Sequence, residues 1–285
     1  MAGKLILCAT PIGNLEDITL RVLRALREAD LIAAEDTRNT IRLLNHFGIH
    51  TPMTSYHEYN KYQKGKTLIE RMQKGDTVAL VTDAGTPAIS DPGWELVSMA
   101  CEAGVPVTSL PGPSAVITAL TLSSLPPRRF AFESFLPDEK KERRTILEEL
   151  KNETRTMVLY AAPHHLVRTL SDLEDVLGAD RSISVCRELT KTHETVLRTT
   201  IGDAIRHYSE EESPRGEFVL VIAGRPRGEI AAEKAAKWDS MTLSEHMALY
   251  LDQGLDRREA MKKVAADRGV SRREIYRRLL DLNED

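Results

Sequence analysis

The strongest constraint on this chain lies in the rhythm of its first 122 residues, where short apolar runs alternate with longer amphipathic ones. KLILCAT, DLIAAED, TPMTSY, TVALVTD and VPVTSL read as strands. Between them TLRVLRALREA sets Leu20, Leu23 and Leu26 at near-helical spacing, and KTLIERMQKG and WELVSMACEAG repeat the pattern and end at glycine caps. Repeated strand-helix units of this kind build a parallel, doubly wound α/β sheet, here of about five strands.

The segment SSLPPRRF, with two prolines and two arginines, interrupts that rhythm and marks a domain boundary. Beyond it FAFESF, RTMVLYAA, RSISVCREL, TVLRTTI and GEFVLVIAG read as strands, with helices over 138–151, 164–177 and 202–210. Several of these elements are only a few residues apart, which predicts a mixed second sheet. RPRGEIAAEKAAKWDS reads as a linker, followed by helical patterns at 243–253, 256–268 and 271–282. AMKKVAADRGVSRREIYRRLL has the outline of a helix-turn-helix. The expected division is an N-terminal α/β domain over 1–122, a second α/β domain over 128–228, and a basic helical tail over 240–285.

A hydrophobic content of 41% with 29% charged residues suits a globular chain with a sizeable core. No apolar run approaches the ~18 residues that a membrane helix needs, and no signal-peptide pattern opens the chain, so a cytoplasmic location is expected. Cys8, Cys101 and Cys186 are few, distant and odd in number, which fits neither a disulfide framework nor a CxxC metal site. His164 and His165 lack nearby partners for a metal, and none is expected. The net charge of −4 gives no global case for nucleic acid. From Arg257 to Asp281, however, nine Lys or Arg face four Asp or Glu, a local charge of +5.

Three loops share one composition. ATPIGNL, TDAGTPAISDPG and LPGPSA each follow a strand and are crowded with Pro, Gly, Thr or Ser. Ligands of open parallel sheets sit beyond the carboxyl ends of the strands, so the three loops are expected to border one site. Neither GxGxxG with its usual acidic partner nor GxxxxGK[ST] occurs, which argues against a pyrophosphate ligand and for a smaller, adenosine-like one held by backbone groups.

ATPIGNLEDIT, AAEDTRNT, SYHEYN, DAGTPAISDPG, LPGPSAVITAL, ESFLP and CRELTKTHE, in this order, resemble the small-subunit ribosomal RNA methyltransferase I family of the tetrapyrrole methylase superfamily. The resemblance is dense over about residues 5 to 225. It implies a two-domain fold, a cleft for S-adenosylmethionine, a homodimer, and methylation of the ribose 2′-hydroxyl of a cytidine in the decoding region of small-subunit (16S) ribosomal RNA. Carried over by position, it implies that Ile12, Gly13, Asp83, Gly85, Thr86, Ala88, Ser114, Ala115 and Leu189 face the cofactor. This chain departs from the pattern in YAAPHH, where Ala161 and His165 stand for the usual Glu and Arg, and in ESFLP, where Ser134 stands for glycine.

A ribose hydroxyl needs a base or a nearby cation to become a nucleophile. EDTR offers Asp36 and Arg38, and RELTK offers Lys191 as base or oxyanion stabiliser. In SYHEYN, His57 and Asn60 are candidates for RNA contact, the alternative being a polar turn anchored by one buried tyrosine. Arg268, Arg272, Arg273 and Arg277 of the tail are candidates for phosphate neutralisation. Two rival readings remain at this point: a methyltransferase of tetrapyrroles or other small molecules, and a non-enzymatic sensor with a DNA-binding tail.

Overall fold

The computed structural model describes residues 3–210, 214–236, 238 and 240–281. Its first sheet has five parallel strands: β1 (Lys4–Cys8), β2 (Leu31–Ala34), β3 (Met53–Ser55), β4 (Thr77–Val81) and β5 (Val107–Leu110), in spatial order β3-β2-β4-β1-β5. Helices α1 (Leu20–Glu28), α2 (Thr37–His46), α3 (Lys61–Gln73), α4 (Gly93–Glu102) and α5 (Ala115–Leu122) connect and cover it. Alternate side chains of each strand feed opposite faces. Ile6, Ile32 and Ala79 join Val22, Leu26 and Leu44 on one side, while Leu7, Ala33 and Leu80 join Leu68, Met72 and Leu96 on the other. The glycines that follow α3 and α4, Gly75 and Gly104, adopt left-handed φ of 112° and 69°, as glycine caps require.

The second sheet is mixed. β6 (Phe130–Phe135) pairs parallel with β7 (Thr156–Ala161), and β7, β10 (Phe218–Ile222), β8 (Ser182–Arg187) and β9 (Thr195–Thr200) then pair antiparallel in that order. Helices α6 (Lys140–Leu150), α7 (Leu166–Leu177) and α8 (Ile201–Ser209) cover one face. The other face packs on α5: Val158, Cys186, Val219 and Val221 meet Val116, Ala119 and Leu120, with Ile12 and Leu189 in the same cluster. Ser184 Oγ donates to the Ser123 carbonyl at 2.7 Å, and the Arg198 guanidinium donates to the Leu122 carbonyl, which fixes the end of α5 against this sheet. Helix α5 follows β5 of the first sheet but packs on the second, so the loop that precedes it lies at their junction.

The stretch read as a linker is in part helical: α9 spans Arg227–Ala236. Low apolar content hid it, but Ala and Glu are strong helix formers without a hydrophobic stripe. Arg225 anchors its start, donating to Asn152 Oδ1 at 2.7 Å and pairing with Glu233 at 2.6 Å. The tail folds as α10 (Leu243–Asp252), α11 (Arg257–Asp267) and α12 (Arg272–Asp281) around Leu243, Met247, Ala260, Val264, Ile275 and Leu279. Reciprocal side-chain and backbone bonds cap α10 through Thr242 and Glu245 and α11 through Asp256 and Glu259. Residues 282–285 of the expected tail lie outside the described residues. Among the described residues no helix is long and apolar enough to cross a membrane.

Candidate active site

The three Gly/Pro loops emerge from the carboxyl ends of β1, β4 and β5, which are adjacent in the sheet, and hydrogen bonds join them. Thr10 and Gly85 exchange backbone bonds of 2.9 and 3.0 Å, Thr10 Oγ1 donates to the Thr82 carbonyl at 3.2 Å, and Thr86 Oγ1 donates to the Pro113 carbonyl at 3.0 Å. Gly85 has φ of 82°, a left-handed value that glycine adopts without steric cost. Asp91 holds the rest of the second loop by accepting from the Ala88 and Gly93 amides at 2.8 to 3.0 Å. Ala88 itself has φ of 68°, and the Asp91 carboxylate secures the amide of that strained residue.

Together with the second sheet the loops enclose a cleft of about 470 Å³, within the range of small-ligand sites. Ile12, Asp83, Gly85, Thr86, Ser114, Ala115 and Leu189 line it, all seven anticipated from the sequence. Gly13 and Ala88 do not: Gly13 packs against Leu189, Thr190 and Lys191, and Ala88 shapes the loop behind the wall. The opposite wall consists of Phe135, Tyr160, Ala161, Ala162, Pro163, Glu217, Phe218 and Val219. Sequence reading missed it because the ends of β7 and β10 meet only through antiparallel pairing, with Ala161 opposite Phe218. The departure at Ala161 falls on this wall, where a small buried residue stands at the position that the resemblance gives to a glutamate. His165, the other departure, lies 3.5 Å from Asp138.

Ser134 has φ of 54° at a register irregularity between Phe132 and Phe135, and its hydroxyl meets that of Ser90 at 3.0 Å across the cleft. A left-handed backbone here explains why glycine suits the position.

Asp36 caps α2 and binds Arg38 through both oxygens, at 3.1 Å to Nε and 2.7 Å to Nη2. The Arg38 guanidinium and amide beside it pull the Asp36 carboxyl down to about 2. The Asp36 amide donates to Asp83 Oδ1 at 3.1 Å, which brings EDTR to the rim of the cleft although neither Asp36 nor Arg38 lines it. Lys191 lies behind Leu189, its Nζ 2.7 Å from Glu188 and 2.9 Å from Glu217. Partial burial lowers its pKa, but the two carboxylates outweigh that and hold it above the ordinary value. It stays charged at neutral pH, so of its two anticipated roles only the cationic one suits it.

The SYHEYN segment is a polar turn. Tyr56 is buried and donates to the Pro92 carbonyl at 3.1 Å. Asn60 accepts from the His57 amide at 2.9 Å and donates to Ser55 Oγ at 3.1 Å, so its amide closes the turn. Tyr59, at 97% exposure, and Glu58 are the side chains of the turn that reach solvent. In the tail, Arg268 donates to His246 Nδ1 at 3.1 Å and to the Met241 and Thr242 carbonyls, which takes it out of the phosphate-binding set. Arg272, Arg273 and Arg277 are exposed on α12.

The tetrapyrrole (corrin/porphyrin) methylase family matches residues 4–205. A ribosomal RNA small subunit methyltransferase I from Halalkalibacterium halodurans is 50% identical over 96% of this chain and 93% of its own length. Those of Bacillus subtilis and Escherichia coli O157:H7 are 46% and 42% identical, over 96% and 98% of this chain and 93% and 95% of theirs. In fold, uroporphyrin-III-C-methyltransferase from Thermus thermophilus superposes with a TM-score of 0.56 at 20% identity, covering 78% of this chain and 94% of that one. Diphthine synthase gives 0.59 at 17%, covering 78% and 90%. From residues 4–205 and from the near full-length match to these relatives, the chain belongs to the tetrapyrrole methylase family and, within it, to the ribosomal RNA small subunit methyltransferase I branch.

Proposed function

We propose that this chain transfers a methyl group from S-adenosylmethionine to the ribose 2′-hydroxyl of a cytidine in the decoding region of small-subunit ribosomal RNA. The observation that carries the reading is the chemistry of the cleft. Its lining includes Asp83, Asp91 and Glu217 and no Lys or Arg, which suits a ligand with sulfonium and ammonium charges and disfavours a phosphate. Its other walls are mostly apolar, and the start of α5 at Ser114 has no side-chain cap, leaving amide donors suited to a carboxylate. The residues thus fit the methyl donor: Ile12, Gly85, Thr86, Ser114, Ala115 and Leu189 would hold it. Bound, it supplies a methyl group on a positively charged sulfur.

Methyl transfer of this kind is an in-line displacement, and most of its catalysis can come from orientation. Arg38, 86% exposed in its side chain and fixed by Asp36, is suited to a phosphate of the incoming RNA at the rim. Lys191, with Glu188 and Glu217, stiffens the turn that carries Leu189 and contributes a fixed positive charge. His57 shapes the polar turn, Tyr59 offers a stacking surface, and Arg272, Arg273 and Arg277 add phosphate contacts. Residues 1–122 and 128–228 act as the two catalytic units and 240–285 as an RNA-binding appendage. The exposed Leu20, Trp94 and Ile117, at 81%, 60% and 50%, suit a homodimer, and its substrate in the cytoplasm is small-subunit RNA or the assembled small subunit.

Calorimetric titration with S-adenosylmethionine, with ATP and NADH as controls, tests the donor. Mapping 2′-O-methyl groups on small-subunit RNA from cells with and without the protein tests the acceptor. Selective donor binding and one missing methyl group are expected; donor binding without any change in the RNA would favour a small-molecule substrate.

A further inference from the structure

Resting on the methyltransferase reading, we propose that Asp83 is the general base that takes the proton of the ribose 2′-hydroxyl. The other ionisable groups that line the cleft are each committed elsewhere. Asp91 accepts loop amides with both carboxylate oxygens. Glu217 is paired through Oε2 with Lys191 at 2.9 Å. Burial raises the Tyr160 hydroxyl, which keeps it protonated. Asp36, at the rim, has both oxygens on Arg38 and is too acidic to be a good proton acceptor.

Asp83 differs in each respect. Its Oδ1 accepts the Asp36 backbone amide at 3.1 Å, while its Oδ2 has only the Asn39 side-chain Nδ2, at a long 3.4 Å. The neighbouring Arg38 is bound to Asp36, and no ion pair holds Asp83 among the described residues. Partial burial, followed by the charges of Glu35 and Asp36, pushes the Asp83 carboxyl above its ordinary value, against the opposing hydrogen bonds from Asp36 and Asn39. Glu35 is itself fixed, accepting from Thr82 Oγ1 at 2.5 Å and from the Asp83 amide at 3.3 Å. A carboxylate with a fixed orientation, a weakly held oxygen and raised basicity is what proton abstraction requires. Asp83 is also exposed at the cleft rim, where RNA would arrive and from which a proton can leave to solvent.

In the step, the 2′-hydroxyl proton moves to Asp83 Oδ2 and an oxygen electron pair forms the new bond to the methyl carbon. The carbon–sulfur bond breaks with its electron pair going to sulfur. One carboxylate and one sulfonium become one carboxylic acid and one thioether, so charge balances.

The test is Asp83→Asn, which keeps size and can still accept the Asp36 amide. With isolated small ribosomal subunits under single-turnover conditions, the rate should fall at least about 100-fold, far more than the calorimetric Kd for S-adenosylmethionine rises on loss of one carboxylate charge from the cleft. The wild-type rate should rise with pH along an acid limb that the variant lacks, and Asp83→Glu should recover part of the rate. A rate within about threefold of wild type, or an unchanged acid limb, overturns the proposal. A loss of donor affinity as large as the loss of rate also overturns it, making Asp83 a donor ligand. An inactive wild type that still binds the donor overturns the RNA reading and this proposal together, whereas an active wild type with an equally active Asp83→Asn overturns this proposal alone.

Discussion

Gly13 and Lys191 are in such close contact that a Cβ on Gly13 would fall 2.4 Å from Lys191 Cγ, with Thr190 Oγ1 at 2.8 Å and the Leu189 carbonyl oxygen at 3.0 Å. Gly13 of the first loop and Leu189, Thr190 and Lys191 of the RELTK turn, 176 positions or more away in sequence, therefore meet without room for a methyl group. Lys191 cannot swing aside freely, because Glu188 and Glu217 hold its ammonium group.

Gly13→Ala should accordingly destabilise the protein by about 1–3 kcal/mol and weaken S-adenosylmethionine binding by displacing Leu189 from the cleft wall. Urea unfolding and calorimetry measure both. Because part of the clash is with Lys191, Gly13→Ala combined with Lys191→Ala should cost less than the two single changes added together. Strict additivity would mean that the loop shifts elsewhere.

A second prediction concerns Ser134, with its left-handed φ of 54° and its bond to Ser90. Glycine at this position removes a backbone cost of about 1 kcal/mol and loses a hydrogen bond of similar worth, so Ser134→Gly should be nearly neutral. Ser134→Ala keeps the strain and loses the bond. The alanine variant should therefore unfold at lower urea than the glycine variant, by about 1 kcal/mol. Equal midpoints would show that the backbone at this position relaxes without cost.

Sequence legibility followed locality. The loops that carry Asp83, Gly85, Thr86, Ser114 and Ala115 could be found because a parallel sheet places every strand-to-helix loop on one edge and composition marks which loops are special, while the family resemblance supplied the individual positions. Glu217, Phe218 and Tyr160 could not, because their place on the wall depends on which strands of a mixed sheet become neighbours. Asn60 and Arg268 show a different limit. Both are polar residues in segments that resemble binding loops or basic helices, and both satisfy hydrogen bonds inside their own element or bundle. Residue type gave no signal of that, whereas the buried Tyr56 beside Asn60 was consistent with a turn from the start. Helix α9 was obscured because it has no apolar stripe to reveal a period of 3.6.

Arg268 and Arg277 should separate stability from binding. Arg268→Ala leaves His246 Nδ1 and the Met241 carbonyl without their donor and should destabilise the tail by about 1–3 kcal/mol. Arg277→Ala, on the exposed face of α12, should change stability by less than about 0.5 kcal/mol. It should instead weaken binding to small subunits and reduce the slope of log affinity against log salt by about one. Filter binding across a salt series and thermal melts measure the two effects. A stability loss at Arg277, or none at Arg268, would reverse the assignment.

The tail should also respond to acid. His246 is fully buried, with Arg268 on Nδ1, Asp267 3.2 Å from Nε2, Tyr250 alongside, and Trp238 stacked on the ring at 4.0 Å. Burial lowers the imidazole pKa. The Asp267 hydrogen bond opposes that, and the Arg268 charge reinforces it. The folded value thus lies below the unfolded value of about 6.5, so the unfolded chain binds the proton first as pH falls. The resulting stabilisation is fully present above about pH 6.5 and is lost as pH falls toward the folded value. Trp238 is one of two tryptophans, so a Trp94→Phe background lets its fluorescence report tail unfolding alone. In that background the urea midpoint of the tail should drop between pH 7.5 and 5.5, and His246→Gln should flatten the dependence whatever its absolute stability. An equal drop in the Gln variant would transfer the effect to another group, and Asp267, which accepts from both His246 and Tyr250, would be the next to replace.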